Sequence, residues 1–268
     1  MKKHILLIFC FVFSLYSQAQ ESTVVSEGTT LGIITDRPTA SASPITVPFK
    51  TFQIETGGLY TSQKNRGIKT ELLNFNNTLL RYGLLNRFEL RLSWAVSENR
   101  ETQGENYSVV GSGFEPLGVG VKVEIAEEKG LLPDIGLLIN MSLPFLASKD
   151  YQPETTGVSF RFAFSHTINE KSGISYNLGA EWSDDSPEVA YIYTLSYGYG
   201  ITDKLSAYGE LYGNFPRKDK AIHNWDAGLI YLLNSNLQLD TTIGTGLSGN
   251  QDLLLSAGFS YSIPNSKK

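Results

Sequence analysis

From Phe52 onward, apolar and polar residues alternate with a period of two, in segments of about 9–13 residues. Val119, Val121, Val123 and Ile125 share one parity, and Gly118, Gly120, Lys122 and Glu124 take the other. Ile135, Leu137, Ile139, Met141 and Leu143 repeat the pattern, with Gly136, Asn140 and Ser142 between them. So do Val158 to Phe164, Ile174 to Trp182, Val189 to Tyr199, Trp225 to Leu233, Leu237 to Leu247 and Leu253 to Tyr261. Successive side chains of a strand point to opposite faces, so each segment is a strand with one apolar and one polar face. Twelve strands are expected, near 52–61, 68–84, 87–97, 117–126, 132–144, 156–167, 172–183, 188–200, 204–214, 222–234, 236–248 and 252–263. Asn74, Asn76 and Asn77 break the alternation of the second, which predicts a bulge or a strand running beyond a bilayer. No helical periodicity of useful length appears in this region, so the class is all-β.

The polar face decides which kind of all-β protein this is. Glu55, Arg81, Glu89, Arg91, Lys122, Glu124, Arg161, Glu181, Glu210, Asp226 and Asp240 all have polar-face parity, and no charge falls on an apolar face within the predicted strands. A soluble sandwich or small soluble barrel turns its apolar face inward and fills the interior with large side chains. Here the polar face is rich in Gly, Ser, Thr and Asn, which suits a narrow lumen crossed by charged pairs. The other face is aliphatic, with Tyr, Trp and Phe towards strand ends, like the lipid-facing band and aromatic girdles of an outer-membrane barrel. Connections point the same way. They are tight at 85–87, 126–131, 168–171, 201–203 and 235, and longer at 98–116, 145–155 and 215–221. The expected fold is a transmembrane antiparallel up-and-down β-barrel of about twelve strands, with both termini in the periplasm; 98–116 would be the contact loop only if the barrel were sealed and bound partners at its surface.

The first residues do not belong to the barrel. Lys2 and Lys3 precede the apolar run Ile5–Tyr16, which ends at Ser17-Gln18-Ala19. A positive start, a short apolar stretch and a small-residue cleavage site make 1–19 an expected signal peptide, too short to anchor in a membrane. Its removal takes the only cysteine, Cys10, and moves the formal charge from −5 to −7. Residues 20–47 hold the compact pair Asp36-Arg37, followed by Pro38, and precede the first strand; 48–268 form the barrel. This segment either stays a periplasmic tail or enters the lumen as a plug. In the second case Arg37 meets lumen carboxylates and Asp36 meets Arg81 or Arg91, since buried charges are tolerated only when paired.

Composition removes other classes. The 268 residues are 41% hydrophobic and 18% charged, below the roughly 25% charged of an average soluble domain. A mean hydropathy of −0.13 and the lack of an apolar run of about 18 residues exclude a bundle of membrane helices. Acids and bases are mixed along the chain, so there is no basic footprint for nucleic acid.

The run Ile34–Gly57 (ITDRPTASASPITVPFKTFQIETG), with LLRYGLLNRFELRL, LPDIGLLINMSLP and LDTTIGTGLS further on, resembles the outer-membrane transporter family called "putative MetA-pathway of phenol degradation". The resemblance covers nearly the whole mature chain, and Thr35-Asp36-Arg37-Pro38 is its most specific part. It implies a Gram-negative outer-membrane barrel that passes small molecules, aromatic or hydrophobic ones among them. Barrels of this kind often end on an aromatic residue read by the barrel-assembly machinery. Here Phe259, Tyr261 and Ile263 are followed by Pro264 to Lys268, an imperfect form of that signal.

No catalytic or metal-binding constellation emerges, and no cofactor is expected. Ser165 and His166 are adjacent in a strand, so they point to opposite faces and cannot act as nucleophile and base. His223 shares the lipid-facing parity of Trp225 and reads as a girdle residue, and Asp184-Asp185 beside Pro187 reads as a solvated turn. The lumen list carries more acids than bases, a field that favours cations or neutral solutes. Tyr208 and Tyr212 flank Glu210 and offer ring faces to a solute or simply fill space. Arg81 and Glu89 are placed to pair across the turn at 85–87, with Gly83 leaving room. The expected function is a porin-like passive channel for small molecules, in contact with outer-membrane lipid and lipopolysaccharide. The alternatives are a lipid-modifying enzyme, which needs a nucleophile and histidine on one face, and a sealed structural or surface-binding barrel.

Overall fold

The computed structural model describes residues 33–249 and 251–263; the predicted signal peptide, residues 20–32 and the Pro264–Lys268 tail lie outside them. Thirteen strands follow one another in the chain: β1 (Phe52–Asn65), β2 (Ile68–Leu85), β3 (Phe88–Gln103), β4 (Asn106–Phe114), β5 (Leu117–Ala126), β6 (Asp134–Leu143), β7 (Val158–Asn169), β8 (Ser172–Trp182), β9 (Val189–Gly200), β10 (Leu205–Pro216), β11 (Ile222–Asn234), β12 (Leu237–Ser248) and β13 (Gln251–Ile263). Each pairs antiparallel with its neighbours, and β1 pairs with both β2 and β13, which closes the sheet on itself. β4 and β5 lie end to end along β3, so the wall is twelve strands round.

The barrel is inside-out relative to a soluble protein. Outward positions such as Ile139, Leu195, Leu229, Ile243 and Leu255 are exposed, while the largest fully buried side chains include Arg81, Lys122, Gln53, Glu55 and Glu89. Aromatic residues line both ends of the outer face. Trp182, Tyr191, Phe215 and Trp225 stand near the connections 183–188 and 217–221, and Tyr199, Tyr231 and Tyr261 near the opposite rim. Such a wall buries its apolar face only when lipid covers it. Closure leaves no edge among the twelve strands that go round the wall, so their backbone groups find partners within it; β4, beyond them, pairs with β3 alone and meets Ser148 and Asp150 on its other side.

The stretch 98–116 is not a loop. β3 continues to Gln103, turns at Gly104-Glu105 and returns as β4 as far as Phe114. Beyond the lipid band both faces of a strand are wet, so the period-two signal that marks a strand is missing there. β1 and β2 also run long and join through Arg66-Gly67, both with positive φ, in the manner of a tight hairpin turn. The interruption at Asn74–Asn77 is a bulge: register slips between Asn74 and Asn76 against β3, and opposite Gly57–Leu59 on β1. At the other rim the connections 86–87, 170–171 and 235–236 are two residues each.

Candidate functional site in the barrel lumen

Residues 33–47 run inside the barrel and touch the wall strand by strand, and the exposed residues 48–50 lead from the lumen to β1. Ile33 N–H donates to Ser235 O (3.1 Å), and Gln238 of β12 donates to Thr35 Oγ1 (3.1 Å). After Arg37 the segment crosses to β10, where the Ala40 and Ser41 N–H groups donate to Glu210 at 2.6 and 2.8 Å. Ser41 Oγ donates to Thr194 Oγ1 of β9 (2.6 Å), and Ala42 exchanges two hydrogen bonds with the Asn177 side chain of β8, at 2.7 and 3.0 Å. Ala42 also packs on Leu138 and Ala163. Pro44 lies so close to β6 that a Cβ on Gly136 would sit 2.4 Å from the Pro44 carbonyl. Val47 N–H donates to Glu89 of β3 (2.9 Å), and Phe49 bridges to Gly83 of β2 before the chain enters β1.

Gly83 therefore serves the segment and not the pair across the 85–87 turn: a Cβ there would lie 2.1 Å from Pro48 O.

The charges fall into two groups. Arg81 binds Glu89 through two 2.8 Å bonds and Glu55 through a third, and also donates to the carbonyls of Ile34 and Ile45. Arg91 bridges Glu89 (2.8 Å) and Asp36 (2.7 Å). Lys122 holds both Asp36 oxygens, at 2.9 and 3.1 Å, while Asp36 lies 3.9 Å from Arg81. The cluster thus sets Asp36, Glu55 and Glu89 against Arg81, Arg91 and Lys122, and is neutral. One member, Asp36, comes from the segment. Glu55 adds to the hold by accepting the N–H groups of Asp36 and Arg37, at 3.0 and 2.9 Å. Burial alone would raise the pKa of Asp36; Arg81, Lys122 and Arg91 outweigh it and hold the carboxyl well below the usual carboxylate range.

The second group is Arg37 with Asp240, joined by bonds of 2.8 and 3.3 Å, with Ser256 as a further acceptor at 3.2 Å. Its seat depends on two glycines. Gly57 and Gly258 face each other across β1 and β13, and a Cβ on either would come within 2.6 Å of the guanidinium.

The remaining polar-parity residues sit outside these groups. Glu124 is at the tight-turn rim, 3.6 Å from Arg87, and Arg161 lies 4.0 Å from Glu181. Tyr208 leans over Gly228 to bond Thr242 (2.7 Å). Tyr212 lines two cavities, of about 350 and 200 Å³, on the side of the segment away from the tight turns. Glu210 and Asp226 are directly opposite each other on β10 and β11.

Several anchors carry no charge: the alternation turns Gln53, Asn177, Thr194 and Gln238 inward without setting them apart from the other polar wall residues, and Thr35 precedes the strands. Three leucines, Leu59, Leu79 and Leu254, also point inward at polar parity and line the larger cavity.

Away from the lumen, Ser165 bonds Asp134 (3.1 Å), whereas the His166 ring lies against Tyr176. His223 bonds Tyr193 (2.8 Å) and packs on Phe215. Asp184 and Asp185 are more than a solvated turn: they accept from Gly157 and Thr155 and tie the 183–188 connection to 144–157. Among the described residues no group of three His, Cys, Asp or Glu is placed to hold a metal.

The fold is shared with solved membrane barrels. An outer-membrane channel of Pseudomonas putida F1 superposes with a TM-score of 0.64 at 14% identity, covering 84% of this chain and 100% of its own. The KdgM porin, solved with a disordered oligogalacturonate, matches with a TM-score of 0.50 at 13% identity, over 79% of this chain and 99% of that one. The translocator domain of the autotransporter NalP from Neisseria meningitidis also matches, at 0.50 and 7% identity, over 81% and 89%. Architecture alone therefore spans more than one task, and function has to be argued from the lumen. No curated protein matches the sequence. The family model described as "Putative MetA-pathway of phenol degradation" matches residues 35–263, and the chain belongs to that family.

Proposed function

We propose that the chain is an outer-membrane channel for small molecules, closed at rest by residues 33–47 acting as a plug. The observation that carries this reading is the nature of the filler. A permanently sealed small barrel fills its lumen with side chains of its own wall. This lumen is filled by a single pass of separate chain, held mostly by hydrogen bonds and ion pairs. Water can replace such contacts one by one, so the filler can leave without exposing a large apolar surface. The aromatic-edged outer face then meets outer-membrane lipid, with lipopolysaccharide around the longer connections.

Locking the plug tests the reading directly. Ser41 and Thr194 have their hydroxyl oxygens 2.6 Å apart, and the only native cysteine is Cys10, in the predicted signal peptide. The double variant Ser41→Cys with Thr194→Cys, once oxidised, should show few or no openings in planar bilayers. Dithiothreitol should restore wild-type behaviour. Equal conductance before and after reduction, with the disulfide verified by mass spectrometry, would overturn the plug.

Acid should loosen the same plug. A released Asp36 titrates near 3.8, whereas the seated carboxyl ionises lower, so its contribution to seating is complete above that value and is lost as pH falls below it. Open probability should stay flat from neutral pH to about pH 5 and rise only below about pH 4. A rise already complete at pH 5 would show that Asp36 does not hold the plug.

A further inference from the structure

The two lumen charge groups each balance. Asp36, Glu55 and Glu89 offset Arg81, Arg91 and Lys122, and Asp240 offsets Arg37. Glu210 and Asp226 remain, and among the described residues neither forms a salt bridge. They belong to one lateral row of the wall, in which Ser196, Glu210, Asp226, Gly244 and Leu254 follow one another across five strands. Like charges directly opposite each other destabilise a sheet, and burying them makes the conflict worse. Glu210 is relieved by the N–H groups of Ala40 and Ser41. Asp226 is not: it is only 4% exposed, and its Oδ1 has no hydrogen-bond partner among the described residues.

Asp226 lines the cavity of about 350 Å³ between the plug and the longer connections, a volume within the roughly 300–1,000 Å³ of small-molecule sites. Around the same cavity stand Tyr212 and the inward leucines Leu59, Leu79 and Leu254. The smaller cavity shares Ala40 and Tyr212 with it and contains a second orphan, Asn214 Oδ1. Both orphaned atoms are acceptors, so the missing partner is a donor. Arg37 lines the larger cavity too, but its guanidinium is committed to Asp240 and Ser256.

We propose that this cavity binds a small organic ammonium ion with an apolar or aromatic body. Asp226 takes the charged head, and Tyr212 with the three leucines takes the body. A divalent metal fits poorly, because it asks for several oxygen ligands, and the other two carboxylates on this cavity, Asp36 and Glu55, are committed to Arg91, Lys122 and Arg81. An anion would meet Asp226 and Asp36 in the same space. The ring face of Tyr212 adds attraction for a cation that neutral solutes lack.

The proposal rests on the lumen being a solute path, and binding is measured apart from passage so that the two can fail separately. The full-length chain in dodecyl maltoside is titrated calorimetrically at neutral pH with 2-phenylethylammonium, with 2-phenylethanol as its neutral counterpart and phenylacetate as an anion. The ammonium should bind at least about tenfold more tightly than the alcohol, and phenylacetate should not bind. Asp226→Asn should bring the ammonium down to the level of the alcohol, while Leu254→Ala should weaken both alike. Equal affinity for ammonium and alcohol, or an Asp226→Asn protein that is folded and binds the ammonium as the wild type does, overturns the site. Asp226-dependent binding in a protein whose bilayers stay silent upholds the site and removes the channel reading instead.

Discussion

Removing residues 20–47 should raise single-channel conductance severalfold over the full-length chain, and removing only 20–40 should give an intermediate value. The difference follows from where the plug is anchored. Residues 35–40 cross the middle of the lumen, and their deletion releases Asp36 from Lys122 and Arg91, Arg37 from Asp240, and Ala40 from Glu210. Residues 41–47 follow the wall and stay bonded to Thr194, Asn177 and Glu89, so the shorter deletion leaves an arc of filler along β9, β8 and β6. Neither deletion touches the strands, and the charges left behind face water that enters with the opening. Planar-bilayer recording of both truncations, in protein shown to be folded, reads the outcome. Silence from both would favour a sealed barrel whose longer connections do the work.

Arg81→Met should cost about 3–5 kcal/mol of stability, the scale for removing one partner of a buried ionic cluster. Arg81 is fully buried and donates to two carboxylates and two carbonyls of the plug region at once. Without it the neutral cluster carries a net negative charge, and Glu55 and Glu89 lose their main counter-ion in a closed space. Restoring neutrality should recover part of the loss, so Arg81→Met combined with Glu89→Gln is expected to be more stable than Arg81→Met alone. Urea unfolding in lipid vesicles measures both. A loss below about 1 kcal/mol for the single variant would mean that water already solvates the cluster, as at an exposed pair.

The wall could be read directly from the residues. Period-two alternation is a local property, and lipid on one side with a polar lumen on the other keeps it clean across the band that spans the membrane. Hence Lys122, Glu89 and Asp240 were assignable to the inside by parity. The alternation vanishes where the environment becomes the same on both faces, so β4 and the far part of β3 carry no strand signal. Nor does it mark Leu59, Leu79 and Leu254. A leucine at polar parity looks like noise until the cavity around it is visible.

Which side chains meet was a different kind of question. Arg37 and Asp240 are 203 residues apart, and their contact exists because closure sets β1 beside β13 and opens a notch at Gly57 and Gly258. Glu210 and Asp226 each announce an inward charge, but only the register of β10 against β11 makes them direct neighbours. The alternation thus accounts for an inside-out barrel with a charged interior, since each strand needs nothing but its own residues to choose its faces. The path of the plug, the balance of the ion pairs and the buried carboxylate of Asp226, without a partner among the described residues, arise from the closed wall. They depend on distances between strands far apart in the chain, which no local pattern encodes.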